Sequence, residues 1–138
     1  MSFTQLEIDY LASQRLGSLA TARPDGTLQN SPVGFRYNPS TGTIDITGYN
    51  MATSRKFRNV VDNGRVAFVV DDIVSTQPWR IRCLEIRGIA EAIEDPTAAP
   101  SSGLGAAIIR IHPRRVISFG LENTNVEPHL LVASRRNV

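Results

Sequence analysis

Apolar and polar positions alternate along most of this chain, and helical spacing replaces the alternation twice. Thr4-Gln5-Leu6-Glu7 opens the first helix as a capping box, with Thr4 as the cap and Glu7 reaching back. Leu6, Tyr10 and Leu11, with Ile8 on the flank, predict its apolar face to about Gln14. Leu16 to Ala22 then reads as a small, half-apolar strand. Pro24-Asp25-Gly26-Thr27 is a turn. The next strand runs from about Leu28 to Tyr37, interrupted at Pro32 and Gly34. Asn38 to Gly42 turns again, and Thr43 to Gly48 alternates as a third strand. Two hairpins in series make an antiparallel meander.

The second helix is predicted over Ser54 to Asn63, with Phe57, Val60 and Val61 on one side and Gly64 stopping it. Val66 to Val70 is nearly all apolar, which predicts a strand buried on both faces, ended by Asp71 and Asp72. Ile73 to Pro78 reads as a loop. Trp79 to Ile93 is a long strand, with Cys83, Glu85 and Arg87 alternating against Leu84 and Ile86, and a bulge at Gly88. Asp95 to Gly103 reads as an exposed connection. Ala107 to Ile111 and Val116 to Phe119 are two last strands around a His112-Pro113-Arg114 corner, and the tail after Glu122 is irregular. Six or seven strands and two short helices, mostly joined by tight turns, predict one mainly β domain over residues 1–138, an antiparallel barrel with helical caps.

Composition narrows the function classes. At 138 residues and 41% hydrophobic, the chain can bury a core of its own. A net charge of +2 does not predict nucleic-acid binding. No apolar run approaches the roughly 18 residues of a membrane span, and no signal peptide is evident, so the cytoplasm is the expected location. Cys83 is the only cysteine, which excludes an internal disulfide, and its strand-like setting predicts a buried thiol. His112 and His129 have no partner at metal-ligand spacing, and His112 beside Pro113 reads as a turn residue. No nucleophile elbow, catalytic acid/base pair or GxGxxG turn stands out. The expected sets of catalytic and metal-binding residues are therefore empty.

What stands out is Lys56, the only lysine among 15 cationic side chains. It sits in Thr53-Ser54-Arg55-Lys56, where a strand gives way to a helix. A helix start offers unpaired N–H groups and a partial positive charge. Two cations and two hydroxyls there make a phosphate cradle; the same residues would equally serve as an ion cluster on a helix end. Arg36 and the aromatic residues Phe35, Tyr49 and Trp79 fall within reach of that place. Cations beside flat rings suit a ligand with a phosphate at one end and an aromatic ring at the other. In such a protein the cofactor carries the chemistry and the chain positions it.

An ordered set of segments carries a resemblance. After the N-terminal helix come Gly17-Ser18-Leu19-Ala20-Thr21, Pro24-Asp25-Gly26 and Asn30-Ser31-Pro32-Val33-Gly34-Phe35. Then follow Thr47-Gly48, Ser54-Arg55-Lys56, Asn59-Val60, Gly64-Arg65-Val66-Ala67 and Ile86-Arg87-Gly88-Ile89-Ala90-Glu91. From Leu6 to Leu121 the chain resembles the pyridoxamine-phosphate-oxidase-like flavin and deazaflavin proteins. Ile109-Arg110-Ile111-His112-Pro113-Arg114-Arg115-Val116 resembles their actinobacterial branch, which uses coenzyme F420, a deazaflavin.

The resemblance implies an FMN-binding-protein-like split β-barrel that dimerises with itself and builds each site from both chains. It implies that the ring lies against Pro32, Val33 and Gly34, and that Arg55 and Lys56 hold the phosphate. Ser54 and Thr47 would be nearby hydroxyl donors, with Trp79 and Arg82 contributed by the partner. The vitamin B6 oxidases have an arginine where this chain has Asn30-Ser31-Pro32, and their C-terminal arginine motif is not evident here. Both departures argue against pyridoxamine phosphate as the substrate. The implied activity is F420-dependent hydride transfer to a small organic acceptor. FMN-dependent oxidation or reduction on the same fold and cofactor binding without catalysis are the alternatives.

Overall fold

Helix α1 spans Gln5–Ser13 and is fastened at its start by the expected capping box. Glu7 N donates to Thr4 Oγ1 at 3.2 Å, and Thr4 N donates to Glu7 Oε1 at 2.9 Å. The structure, a computed structural model, describes residues 2–94, 107–122 and 127–138. The expected connection at Asp95 to Gly103 lies outside the described residues. The buried side of α1 is Glu7, Tyr10 and Leu11, whereas Leu6 is exposed. Glu7 goes inward because Arg136, far along the chain, pairs with it.

Seven strands follow: β1 (Leu16–Ala22), β2 (Leu28–Asn38), β3 (Thr43–Thr47), β4 (Arg65–Thr76), β5 (Trp79–Glu94), β6 (Ala107–Phe119) and β7 (Ser134–Asn137). They pair antiparallel in the order β3-β2-β1-β4-β5-β6-β7, and a further β3–β6 pairing closes the first six into a barrel. This is the expected mainly β, split-barrel architecture. The interior is filled by inward residues of successive strands. Leu19, Ile44, Ile46, Phe68, Val70, Leu84, Ile86, Ile109, Ile111 and Val116 are almost fully buried.

Several local expectations are corrected. Pro32 and Gly34 do not interrupt β2, which pairs continuously from Leu28 to Gly34 with β1. The Val66 to Val70 run is fully buried on one face only. Val66, Phe68 and Val70 point inward, while Ala67 and Val69 face outward and half exposed. Ile73 to Pro78 is not a loop. β4 runs on to Thr76 and returns as β5 through a tight turn at Gln77-Pro78. The predicted corner at His112-Pro113-Arg114 is instead the middle of one strand, β6. The ladder shifts register there, between Arg87 and Gly88, so the expected bulge absorbs the bend. A Cβ on Gly88 would overlap the His112 carbonyl oxygen, which is why glycine fits that approach. The tail is not wholly irregular, because β7 pairs with β6.

Two edges explain why the barrel is split. β6 lends one edge to β3 at Ile109–Ile111 and then to β7 at Arg115–Ser118. β2 changes partner at Gly34, which faces Leu16 on one side and Thr47 on the other. From residue 28 to residue 33, β2 has β1 on one side and, among the described residues, no strand on the other.

Candidate functional site

Helix α2 (Arg55–Asn63) packs mainly against β5 and β1 and reaches β2 at Gln29. Its start follows β3, whose last residue Thr47 is paired with Gly34. Its middle is tied to the beginning of β2, where Asn59 Nδ2 donates to Gln29 Oε1 at 3.4 Å. The same amide donates to Thr21 Oγ1 of β1 at 3.0 Å, and Asn63 Nδ2 donates to the Ala22 carbonyl at 2.7 Å. Phe57, Asn59 and Val60 form its buried side; Val61, expected there, is 67% exposed. Gly64 ends the helix with φ 69°, as expected of a glycine cap.

The helix start is built from the chain just before it. Asn50 takes a left-handed conformation (φ 54°), and Met51–Thr53 make one 3-10 turn. Ser54 is then the N-cap. Its Oγ accepts from Phe57 N at 3.2 Å and donates to the Met51 carbonyl at 2.7 Å. The Ser54 hydroxyl is thus committed to shaping the cap. The N–H groups of Arg55 and Lys56, first in the helix, have no intrahelical acceptor. No acidic residue occupies the first turn.

Charge pairing divides the cations of the chain. Arg82, Arg87, Arg110 and Arg136 are each held by a carboxylate. Arg55 and Lys56 are half-buried and have no ion-pair partner among the described residues. The cradle therefore holds two uncompensated positive charges and two free N–H groups. That combination favours an anion of phosphate type.

The other expected residues divide. Thr47 is exposed and stands across from Gly34, beside the strand-to-helix connection. Pro32 is exposed, and lacking an N–H it suits a strand edge. Gly34 faces open space, because a Cβ there would meet nothing within 4 Å. No close approach within the chain explains this glycine. Val33 points the other way and is buried, so only its backbone borders the open edge. Phe35 packs edge-on against Phe68 at 5.3 Å and belongs with the core. Tyr49 is 71% exposed immediately before the cradle, and Arg36 is exposed on β2.

Trp79 and Arg82 are not brought to the cradle of their own chain. β4 pairs with β1 only as far as Val69, opposite Ser18, and continues to Thr76. At roughly 3.3 Å per residue this carries the hairpin tip about 20 Å beyond β1, away from α2. Trp79 is exposed at that tip, against a groove of about 550 Å³ that it shares with Asp71, Asp72, Ile73 and Ile81. Arg82 is held in place by Asp72, with Nε to Oδ1 at 3.0 Å and Nη2 to Oδ2 at 2.7 Å. It also lies over the Tyr10 ring, 4.9 Å from its centre. Asp72, expected to be a solvated strand end, accepts from both Arg82 and the Tyr10 hydroxyl. The Arg82 hydrogen bond holds the Asp72 carboxyl below the usual carboxylate range, against partial burial. Burial and the Asp72 carboxylate push the Tyr10 phenol up.

Cys83 is half-buried, and burial with the nearby Asp71 and Glu85 charges pushes its thiol up, so it is a poor nucleophile. His112 is not a turn residue but a strand residue paired with Glu91. Among the described residues no three His, Cys, Asp or Glu side chains are grouped to hold a metal. No helix among them is long and apolar enough to cross a membrane.

Two features of the seam between α2 and β2 went unread in the sequence. Asn59 Oδ1 and Ser31 Oγ are buried and have no hydrogen-bond partner among the described residues. Leaving such an atom unpaired costs about 1–3 kcal/mol. Ser31 lies two residues from Gln29, on the same face of β2. The legible signal was an asparagine placed between Phe57 and Val60 in an amphipathic helix.

Known proteins resemble this chain in sequence and in fold. The chain is 46% identical over 122 residues to a 5a,11a-dehydrotetracycline/5a,11a-dehydrooxytetracycline reductase of Streptomyces rimosus, covering 88% of this chain and 86% of that one. Its fold matches a conserved hypothetical protein of Mycobacterium tuberculosis with TM-score 0.70 at 23% identity, over 96% and 93% of the two chains. It also matches an FAD-binding protein of Mesorhizobium loti with TM-score 0.61 at 20% identity, over 84% and 93%. Residues 6–124 match the pyridoxamine 5'-phosphate oxidase family, and with the split barrel and the relative at 46% identity the chain belongs to that family.

Proposed function

We propose that this protein is an oxidoreductase that binds coenzyme F420 along the free edge of β2 and delivers hydride to a conjugated carbon–carbon double bond. The observation that carries the proposal is the cradle: two unpaired cations at a capped helix start, in a barrel whose β2 keeps one edge without a strand partner among the described residues. These residues fit a phosphate-bearing flavin or deazaflavin. Arg55 and Lys56 would hold the phosphate with their side chains and N–H groups, each charge-assisted bond contributing roughly 1.5–3 kcal/mol. Thr47 would add a hydroxyl. The backbone from Pro32 to Gly34 would border the ring, with Gly34 leaving the ring room to lie flat. When bound, the cofactor supplies the hydride. The chain binds it, orients it and leaves the exposed side of β2 open to the acceptor.

The acceptor class follows the relative at 46% identity. It is named for reducing a dehydro compound, and such a reduction adds a hydride and a proton across a carbon–carbon double bond. A polycyclic, conjugated acceptor is the class we assign to this chain as well.

We also propose a homodimer with two shared sites. Trp79 and the cradle sit at opposite ends of one protomer, so one site can use both only if two chains meet. The hairpin that bears Trp79 also exposes Ile73 and Val74. The outer face of β1 and β4 adds exposed Leu16 and a shallow groove of about 260 Å³ among Ser18, Ala20 and Ala67. In this assembly Trp79 and Arg82 would reach the partner's cofactor.

FMN is the second reading, favoured by the likeness to an FAD-binding structure. Titration of the purified protein with F420 and with FMN, followed by absorbance, separates the two. Lys56→Ala is expected to weaken the preferred cofactor about tenfold or more. Unchanged affinity in both Lys56→Ala and Arg55→Ala at low salt would remove the cradle from the proposal. Tight F420 binding without turnover of any conjugated ketone would leave a carrier protein in place of an enzyme.

A further inference from the structure

Arg36 shares one face of β2 with Pro32 and Gly34, because side chains two apart on a strand point the same way. It stands two residues, about 7 Å, beyond Gly34. Pro32 and Arg36 are exposed on that face, and Gly34 leaves it open, since a Cβ there would meet nothing within 4 Å. Asp45 is directly opposite Arg36 in the β2–β3 register, where an ion pair across the strands would be expected. The carboxylate is instead taken by other donors. Arg110 reaches both of its oxygens, at 3.0 and 3.2 Å, and Asn38 and Thr43 donate to it at 2.9 Å each. Arg36 is left with no hydrogen bond or ion pair among the described residues. A charged fork of N–H donors thus stands unspent beside the open floor at Gly34.

We propose that Arg36 is a catalytic residue that binds the carbonyl oxygen of the conjugated acceptor. The proposal rests on the reductase reading above and adds to it the group that holds the polar end of the acceptor. Hydride from the reduced cofactor forms a C–H bond at the alkene carbon remote from the carbonyl. The electron pair of the double bond shifts, and negative charge gathers on the carbonyl oxygen as an enolate. Arg36 donates hydrogen bonds to that oxygen as the charge grows, which lowers the barrier. Arginine stays protonated, so the proton comes from water and not from Arg36. It joins the carbon next to the carbonyl, which gives the saturated ketone and leaves the cofactor oxidised.

The test uses the protein loaded with whichever of F420 and FMN it binds, with the cofactor reduced beforehand. Phenalenone, a polycyclic conjugated ketone, is the probe. Cofactor oxidation is followed by absorbance for the native protein, Arg36→Met and Arg36→Lys, and the affinity of each for the oxidised cofactor is titrated separately. Arg36→Met is expected to keep the unfolding midpoint and the cofactor affinity and to slow turnover about a hundredfold. Arg36→Lys keeps the charge and is expected to stay within about tenfold of the native rate. Naphthol supplies a readout apart from turnover, because its anion resembles the enolate. It should bind the native protein more tightly above the phenol's pKa than below it, and Arg36→Met should lose that difference. Equal turnover in the native protein and Arg36→Met, or the same pH dependence of naphthol binding in both, would overturn the role of Arg36 while leaving the reductase reading intact. A loss of cofactor affinity in Arg36→Met would overturn it too, by assigning Arg36 to the cofactor. If the native protein does not reduce the ketone, the reductase reading fails, and the role of Arg36 fails with it.

Discussion

Gly34 shows how much one missing side chain can decide. It is the point at which β2 exchanges β1 for β3, and a Cβ there would meet no atom within 4 Å. Gly34→Val is therefore expected to leave the fold intact, with an unfolding midpoint close to that of the native protein. The added branched side chain would occupy the face on which we place the ring, so cofactor binding should be lost. Thermal unfolding and a cofactor titration on the same sample check both halves. Normal binding by Gly34→Val would move the ring off this strand. Gly17 makes the contrast. A Cβ there would run into the Phe68 ring in the core, so Gly17→Ala should destabilise without touching the cradle.

At the scale of elements, the β3–β6 seam that closes the barrel is held by a buried charge pair. Asp45 and Arg110 stand opposite each other in the register, with Arg110 Nε to Asp45 Oδ1 at 3.0 Å. Asn38 and Thr43 donate to the same carboxylate at 2.9 Å each. Burial raises the Asp45 pKa, but the hydrogen bonds from Arg110, Asn38 and Thr43 outweigh it and hold the carboxyl below its ordinary 3.8. A carboxyl with a depressed folded pKa contributes stability that is fully present above its unfolded value and is lost as pH falls through the folded one. Glu7, held low by Arg136 and Thr4 against burial, acts in the same direction. Stability should thus fall from about pH 4 downward. Asp45→Asn should cost about 3 kcal/mol at neutral pH, because it strands Arg110, and should flatten the acid limb. Urea unfolding between pH 3 and 7 measures both; an unchanged acid limb would show that the seam is not held by this charge.

At the scale of the whole molecule, the issue is what covers the surface that one chain leaves open. Leu16, Ile73, Val74 and Trp79 are large apolar side chains left exposed on one chain. The homodimer we propose would bury about 2,000 Å² or more, as stable dimers do. Dilution should then lose cofactor and dimer together. Sedimentation followed at the cofactor's absorbance tests this. A cofactor-loaded species of 15.1 kDa would sink the shared site and the roles given to Trp79 and Arg82.

The sequence by itself determined the elements whose signals are local. The capping box at Thr4 and Glu7, β1 from Leu16 to Ala22, the Gly64 helix stop and the Gly88 bulge all stand where turn chemistry and side-chain period put them. The family was legible too, from an ordered set of segments between Leu6 and Leu121 that includes Ser54-Arg55-Lys56. What only the tertiary structure decided depends on partners far away in the chain. Glu7 turns inward because Arg136 meets it, and Asp45 is buried in an apparently alternating strand because Arg110 meets it. β4 continues past Asp71 and Asp72 because β5 pairs with it, and β6 passes His112-Pro113-Arg114 because the bulge lets its neighbour bend with it. The pairing of Arg55 and Lys56 is likewise decided by the fold. Their neighbours in sequence look ordinary, and only the folded charge map shows that no carboxylate reaches them among the described residues. Pairing across a fold is a long-range property, and the period of a single segment carries no record of it.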